Sequence, residues 1–304
     1  MACLHTTKRK KHDSRSALQP QLPAWAGFYS VPPRPPLIAC LTSSSKMTFS
    51  ATQTGITPLV SCSITSAVST KDPVATQLLE DDRPYAGYLY LATGFTTQNK
   101  DETESWRISF GLVGPGARAE VIQNNLHRAI GSDEAMGWDH QLKNEFVASL
   151  AYEKKWLGLY RAKPFKLEFD LLPHASASLG TPLTYFGAGG MIRIGRGLDH
   201  DYGPPRIRPS LPVSQYYERK GGVSWYFFAG IDGRFIAHNL FLDGNNFENS
   251  HSVDREDFVA DLQAGFVWNN SKFRLAYSWI YRSREFAQQQ ERDIFGSVSI
   301  SVHF

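Results

Sequence analysis

The sequence predicts an all-β chain, an antiparallel transmembrane β-barrel of the outer-membrane kind with one inserted α-helix. Three observations carry that expectation. Hydrophobic residues alternate with period two in about ten separate runs, and period two gives a strand two unlike faces. Aromatic residues make up 13% of the 304-residue chain and glycines number 24, a mixture suited to aromatic-belted strands joined by tight turns. The last run ends on Phe304, as is typical of the terminal strand of such barrels.

Composition narrows the alternatives. The chain carries 32 Lys and Arg against 29 Asp and Glu, a net charge of +3, which is too small to hold a nucleic acid by bulk charge. Mean hydropathy is −0.32, and no stretch approaches the roughly 18 apolar residues of a spanning helix. Cys3, Cys40 and Cys62 all lie near the start, so the rest of the chain has neither a disulfide framework nor a thiolate metal cluster.

Residues 1–45 stand apart. They hold the basic cluster Lys8 to Lys11 and six prolines between Pro20 and Pro36, without apolar periodicity, and are expected to be disordered or non-native. No signal peptide is legible, because Pro36-Leu37-Ile38-Ala39-Cys40-Leu41 is too short for an apolar core. Residues 46–304 are expected to form the barrel.

Within it, strands are expected near 48–56, 88–96, 104–112, 145–156, 164–172, 183–194, 223–237, 257–268, 272–282 and 293–304. In 104–112, Trp106, Ile108, Phe110 and Leu112 oppose Ser105, Arg107 and Ser109. In 164–172, Phe165, Leu167, Phe169 and Leu171 oppose Lys166, Glu168 and Asp170. In 272–282, Phe273, Leu275, Tyr277, Trp279 and Tyr281 oppose Lys272, Arg274 and Ser278. Many of these runs suit the roughly 9–11 residues of a tilted spanning strand. The tight Asn269-Asn270-Ser271 turn and the long 196–221 segment are expected at opposite ends, as short periplasmic turns and long outer loops. A soluble barrel would instead require the apolar faces of 164–172 and 272–282 to fill a core.

After Gly114-Pro115-Gly116 the period changes to that of a helix, with Val121, Ile122, Leu126, Ala129 and Ile130 as an apolar stripe and Gly131 as its stop. Gln123 and His127 stand at i and i+4, so their side chains share a face and can converge on one group. Asn124 and Arg128 form the neighbouring row, and Asp133 and Glu134 follow at once. Asp81, Asp82 and Arg83 read first as solvated charges, and Asp243-Gly244-Asn245-Asn246 as a turn. His140, His174 and His251 lack the spacing of a zinc site. Arg206, Arg208, Arg219 and Lys220 read as a solvated loop.

Several motifs occur together: Glu80 to Gly87 (EDDRPYAG), Gly114-Pro115-Gly116, Gln123 to His127 (QNNLH), Gly137 to Glu145 (GWDHQLKNE), Asn239 to Asn245 (NLFLDGN), Ser250 to Asp254 (SHSVD) and Arg284-Glu285-Phe286. In this order they resemble the outer-membrane lipid A 3′-O-deacylase family, from about Lys46 to Phe304. The resemblance implies a bacterial outer-membrane barrel of twelve strands, with its active site between the barrel wall and the outer leaflet. It implies a carboxylic ester hydrolase that removes the 3′-linked acyloxyacyl chain of lipid A in lipopolysaccharide, with a divalent cation, usually calcium (Ca2+). On this resemblance His127 matches the general base, Gln123 its helical partner, Asp133 a carboxylate that orients the imidazole, and Lys71 a lysine near the site.

The departures from the family are specific. The family's first hairpin, with an Asn-Asp pair and a Tyr-Thr-x-Gly segment for cation binding and the oxyanion donor, has no counterpart here. Ala135 stands about where a tyrosine often follows the helix. Ten strands are twelve less one hairpin, so the metal ligands are unassigned and the site is expected to be catalytically incomplete as written, from a start that is not the natural one. The alternative is a non-catalytic outer-membrane barrel, structural or porin-like.

Overall fold

The computed structural model describes residues 2–4, 39–41, 56–67, 75–204, 222–270, 273–290 and 292–302. In chain order the strands are β1 (Ala2–Leu4), β2 (Ala39–Leu41), β3 (Ile56–Ala67), β4 (Ala86–Gln98), β5 (Glu102–Val113), β6 (Glu145–Trp156), β7 (Tyr160–Ala162), β8 (Glu168–Gly180), β9 (Leu183–Arg196), β10 (Ser224–Asn239), β11 (Phe258–Asn269), β12 (Phe273–Arg282) and β13 (Asp293–Val302). Helix α1 (Ala119–Ile130) lies between β5 and β6, and the single turn α2 (Leu240–Asp243) follows β10. Apart from the short β1, β2 and β7, the strands run from 10 to 16 residues, long enough to cross a bilayer at a tilt.

From β3 to β13 the long strands form an antiparallel meander, and β7 adds a short ladder to β8. Beyond β13, β2 pairs parallel through Gly296 with Ala39 and Ser297 with Cys40, and β1 pairs antiparallel with β2. The sheet curls until Cα atoms of β1 and β3 approach within 8 Å, with no ladder between them among the described residues. Two three-residue strands thus lie beyond β13, on the side of the sheet that curls toward β3.

The two faces are inverted relative to a soluble protein. On β12, Phe273, Leu275, Tyr277 and Trp279 point outward with 40 to 46% exposure, whereas Arg274, Ala276 and Ser278 point inward at 1%. On β5, Trp106, Ile108 and Phe110 are exposed and Arg107 and Ser109 are buried. Apolar side chains outside and charges inside cost free energy in water but suit a wall bathed in lipid, which excludes the soluble barrel.

The buried charges are neutralised by pairing. Arg193 meets Asp170 through two hydrogen bonds of 2.9 and 2.5 Å. Asp261 accepts from Arg282 at 2.8 Å and from Arg234 at 2.6 Å. After β9 the chain turns back so that Asp201 accepts from Arg274 at 2.8 Å, while Arg193 donates to the Asp201 carbonyl at 2.6 Å. Leu198 packs there with Leu172, Met191 and Tyr226, stoppering this end of the sheet.

Three sequence expectations shift. The first long strand spans Ile56–Ala67 rather than 48–56, and residues 48–55 lie outside the described set. The run at 164–172 begins as strand only at Glu168, because Pro164–Lys166 forms a short 3-10 turn with Lys166 at φ 64°. Strand direction also puts the connection after β9 and the turn after β11 at the same end, so the long segment is not opposite the tight one. The loops that carry the resemblance gather at the other end, with α1.

Helix α1 rests on the outer wall. Gly87 of β4 alternates with the inward Ala86 and Tyr88, so it faces out, yet it is buried. A Cβ there would lie 2.9 Å from the Ala119 Cβ and 3.1 Å from the Gly114 carbonyl, so the missing side chain is what lets the helix approach. A Cβ on Gly116 would likewise lie 2.6 Å from the outward Leu112.

Candidate active site

Local sequence chemistry sets the helix in place. Pro115 opens the short turn before it, and Gly114, at φ 103°, passes so close to the Lys143 carbonyl carbon that a Cβ would be 2.6 Å away. Gly114 N–H donates to Gly87 O at 2.8 Å, and Leu142 N–H to Tyr85 O at 2.8 Å, pinning both ends of the inserted segment to the start of β4. Tyr85 meets Trp138 edge-on at 5.4 Å. Together with Ala119 and Ala135 they form a small apolar cluster beneath the helix.

The helix buries polar side chains and exposes two of its apolar ones. Its buried row is Ala119, Gln123 and His127, with Gln123 at 5% and His127 at 3% exposure, while Val121 is 50% and Ile122 43% exposed. Val121 and Ile122 of the apolar stripe therefore face away from the wall, and the Gln and His row faces toward it.

Gly131 at φ 71° ends the helix, and Ser132 N–H donates to His127 O at 2.8 Å, a Schellman-type reversal. The reversal brings the Asp133 main-chain oxygen 2.6 Å from His127 Nδ1. A carbonyl oxygen only accepts, so Nδ1 carries the proton and Nε2 of the neutral ring presents a lone pair. That Nε2 is buried without a hydrogen-bond partner, as is Gln123 Oε1 on the same helix face. Two unpartnered acceptors on one buried row are costly unless donors arrive, and a water, with its two O–H groups, could satisfy both, whereas a ligand hydroxyl could satisfy one.

The sequence expectations divide accordingly. Gln123 and His127 are brought to one buried face, as their spacing implies. Asp133 reaches the imidazole through its main-chain carbonyl, while its residue is exposed, so the expected carboxylate contact is replaced by a peptide one. Lys71 lies outside the described residues, as do Arg206, Arg208, Arg219 and Lys220. Asp82 is buried rather than solvated, and Arg83 crosses the sheet to Glu285 at 2.6 Å. Burial alone would raise the Glu285 carboxyl, but Arg282 and Arg83 outweigh it and hold the group at about 2. The Asp243 to Asn246 segment is a turn, with Gly244 at φ 85°, and its Asn246 amide binds Glu145 at 2.5 Å. Sequence reasoning did not single out Glu145 or the role of Asn124, whose partners lie elsewhere in the chain.

Calcium takes about six to eight oxygen ligands, carboxylates among them. Among the described residues no group of three or more His, Cys, Asp or Glu side chains converges, and the open oxygen donor beside His127 is the neutral Gln123 amide. These residues do not by themselves fit calcium.

Apolar strands facing lipid, a charge-paired interior and a helix-borne imidazole tucked against the outer wall define an outer-membrane barrel with a candidate hydrolytic site at its lipid-facing surface. The chain belongs to the family described as outer membrane protein LpxR, which matches residues 7–304 and so takes in most of the segment the sequence sets apart. Its fold is similar to that of LpxR from Salmonella typhimurium, with a TM-score of 0.71, 17% identity and 83% of each chain covered. No curated protein sequence matches it.

Proposed function

We propose that this protein is a lipid A 3′-O-deacylase-like ester hydrolase acting on lipopolysaccharide from within the outer membrane. The observation that carries the reading is the His127 ring, fixed by the Asp133 carbonyl so that an unpartnered Nε2 lies beside the unpartnered Gln123 Oε1 on the wall-facing row of α1. A water bound between them would donate one hydrogen to each. His127 Nε2 takes its proton as the oxygen attacks the ester carbonyl, and the imidazolium then returns it to the departing sugar hydroxyl as the C–O bond breaks. The Asp133 carbonyl, facing the Nδ1–H, favours the ring while it is charged. Ester and water are consumed, and a fatty acid and a free 3′-hydroxyl are formed.

Lys71 joins this reading on the resemblance alone. Calcium does too; bound near the ester it would polarise the carbonyl. The lack of a converging carboxylate group among the described residues favours a second reading, a non-catalytic structural barrel. Mass spectrometry of lipid A from cells expressing the chain separates the two. Loss of the 3′-linked acyloxyacyl mass, absent with His127→Ala and sensitive to chelation, supports the hydrolase. Unchanged lipid A with the family-type hairpin restored and calcium present refutes it.

A further inference from the structure

The hydrogen bond that fixes the His127 ring runs to a main-chain oxygen, so something must hold that stretch of backbone. Asp133 is exposed and cannot anchor it by burial. On the helix side the segment is tied by Ser132 N–H to His127 O. On the far side it is tied by Asn124, whose side-chain amide makes two bonds to a single residue. Ala135 N–H donates to Asn124 Oδ1 at 3.1 Å, and Asn124 Nδ2 donates to Ala135 O at 3.2 Å. Ala135 is itself 1% exposed and packed with Tyr85, Ala119 and Trp138, so the clamp ties the backbone into the cluster beneath the helix. The other tie, Arg128 to Glu134, is an exposed ion pair at 3.0 Å, a kind that contributes little.

We propose that Asn124 is a positioning residue for His127. By gripping Ala135 it sets the Asp133 carbonyl opposite Nδ1, and so decides which ring nitrogen carries the proton. The inference concerns the tautomer and rests on the proposed hydrolase only for its consequence in catalysis. An amide suits the task because it offers one donor and one acceptor at the spacing of a peptide group, whereas Asp would lose the donor and Ala both.

The test uses the full chain in detergent micelles with 15N-labelled histidine, the His127 signals being assigned by their loss in His127→Ala. The wild-type ring is expected to show the Nδ1–H tautomer. In Asn124→Ala it should shift to a mixture with Nε2–H, and Asn125→Ala, which removes an exposed neighbouring amide, should leave it unchanged. Where deacylation is measurable, Asn124→Ala should lower kcat about tenfold or more with KM little changed. If Asn124→Ala fails to fold, Asn124→Asp, which keeps the acceptor for Ala135 N–H, takes its place with the same expected tautomer mixing. An unaltered Nδ1–H signal in a folded Asn124 variant overturns the proposal. Inactivity that persists with the family-type hairpin restored and calcium present, the tautomer shift being intact, removes the hydrolase reading and leaves this one standing.

Discussion

The interior of the sheet and the crevice under α1 are both polar regions hidden from water, and they are built on opposite plans. Inside, each of the carboxylates Asp170, Asp201 and Asp261 lies against an arginine, Arg193, Arg274 and Arg282 respectively. Under the helix the buried row carries an amide and an imidazole rather than ion pairs, and His127 Nε2 and Gln123 Oε1 are left without partners. Paired charges hold a shape, while open acceptors wait for a donor. The first region should answer substitution in stability and the second in activity.

The widest separation should come from His127→Ala. Loss of a general base costs about 10²- to 10⁴-fold in rate, so 3′-deacylation should fall by that much while the unfolding midpoint in detergent stays put. A large drop in the midpoint would place His127 with the structural residues instead. Asp201→Ala should do the reverse. It removes the carboxylate facing the buried Arg274, and breaking such a pair costs about 3–5 kcal/mol, measured by denaturant unfolding.

Acid should sharpen the contrast at the junction of Arg83, Arg282 and Glu285. The folded-state value of Glu285, about 2, lies below its ordinary 4.5, so its contribution is fully present above about pH 4.5 and is lost as pH falls toward 2. That difference is on the order of 3 kcal/mol, and Glu285→Gln should flatten the acid slope of unfolding, whereas Gln123→Ala should not. Gly87→Val is expected to blur the division, because the new side chain meets Ala119 and Gly114. Overpacking of this kind costs about 1–3 kcal/mol, and the lifted helix should also lose activity. At the small end, Arg128→Ala removes only exposed contacts, to Glu134 and Asn125, and neither readout should move.

Much of the wall was legible because lipid-facing strands keep a strong contrast between neighbours, as Leu275, Tyr277 and Trp279 do against Arg274 and Ser278. Where the contrast fades, so did the reading. The second half of β8, Pro173 to Gly180, alternates mostly small residues, and its start was misplaced because Phe165, Leu167 and Phe169 keep their phase through a turn that the strand does not share. The i and i+4 spacing of Gln123 and His127 gave their common face, but not which way it pointed, since apolar residues such as Val121 and Ile122 are buried on a helix in water and can stay exposed on one facing lipid. The main-chain contact made by Asp133 was hidden for a different reason. Every residue has a carbonyl oxygen, so a site that uses the main chain leaves no trace in the choice of side chain.

The close seat of α1 on Gly87 governs how any guest is delivered. Since α1 sits on the outward side of β4, a lipid guest of its buried row would travel sideways in the plane of the bilayer. Encounter then scales with the mole fraction of the guest among its fellow lipids, and dilution of the surrounding water leaves it unchanged.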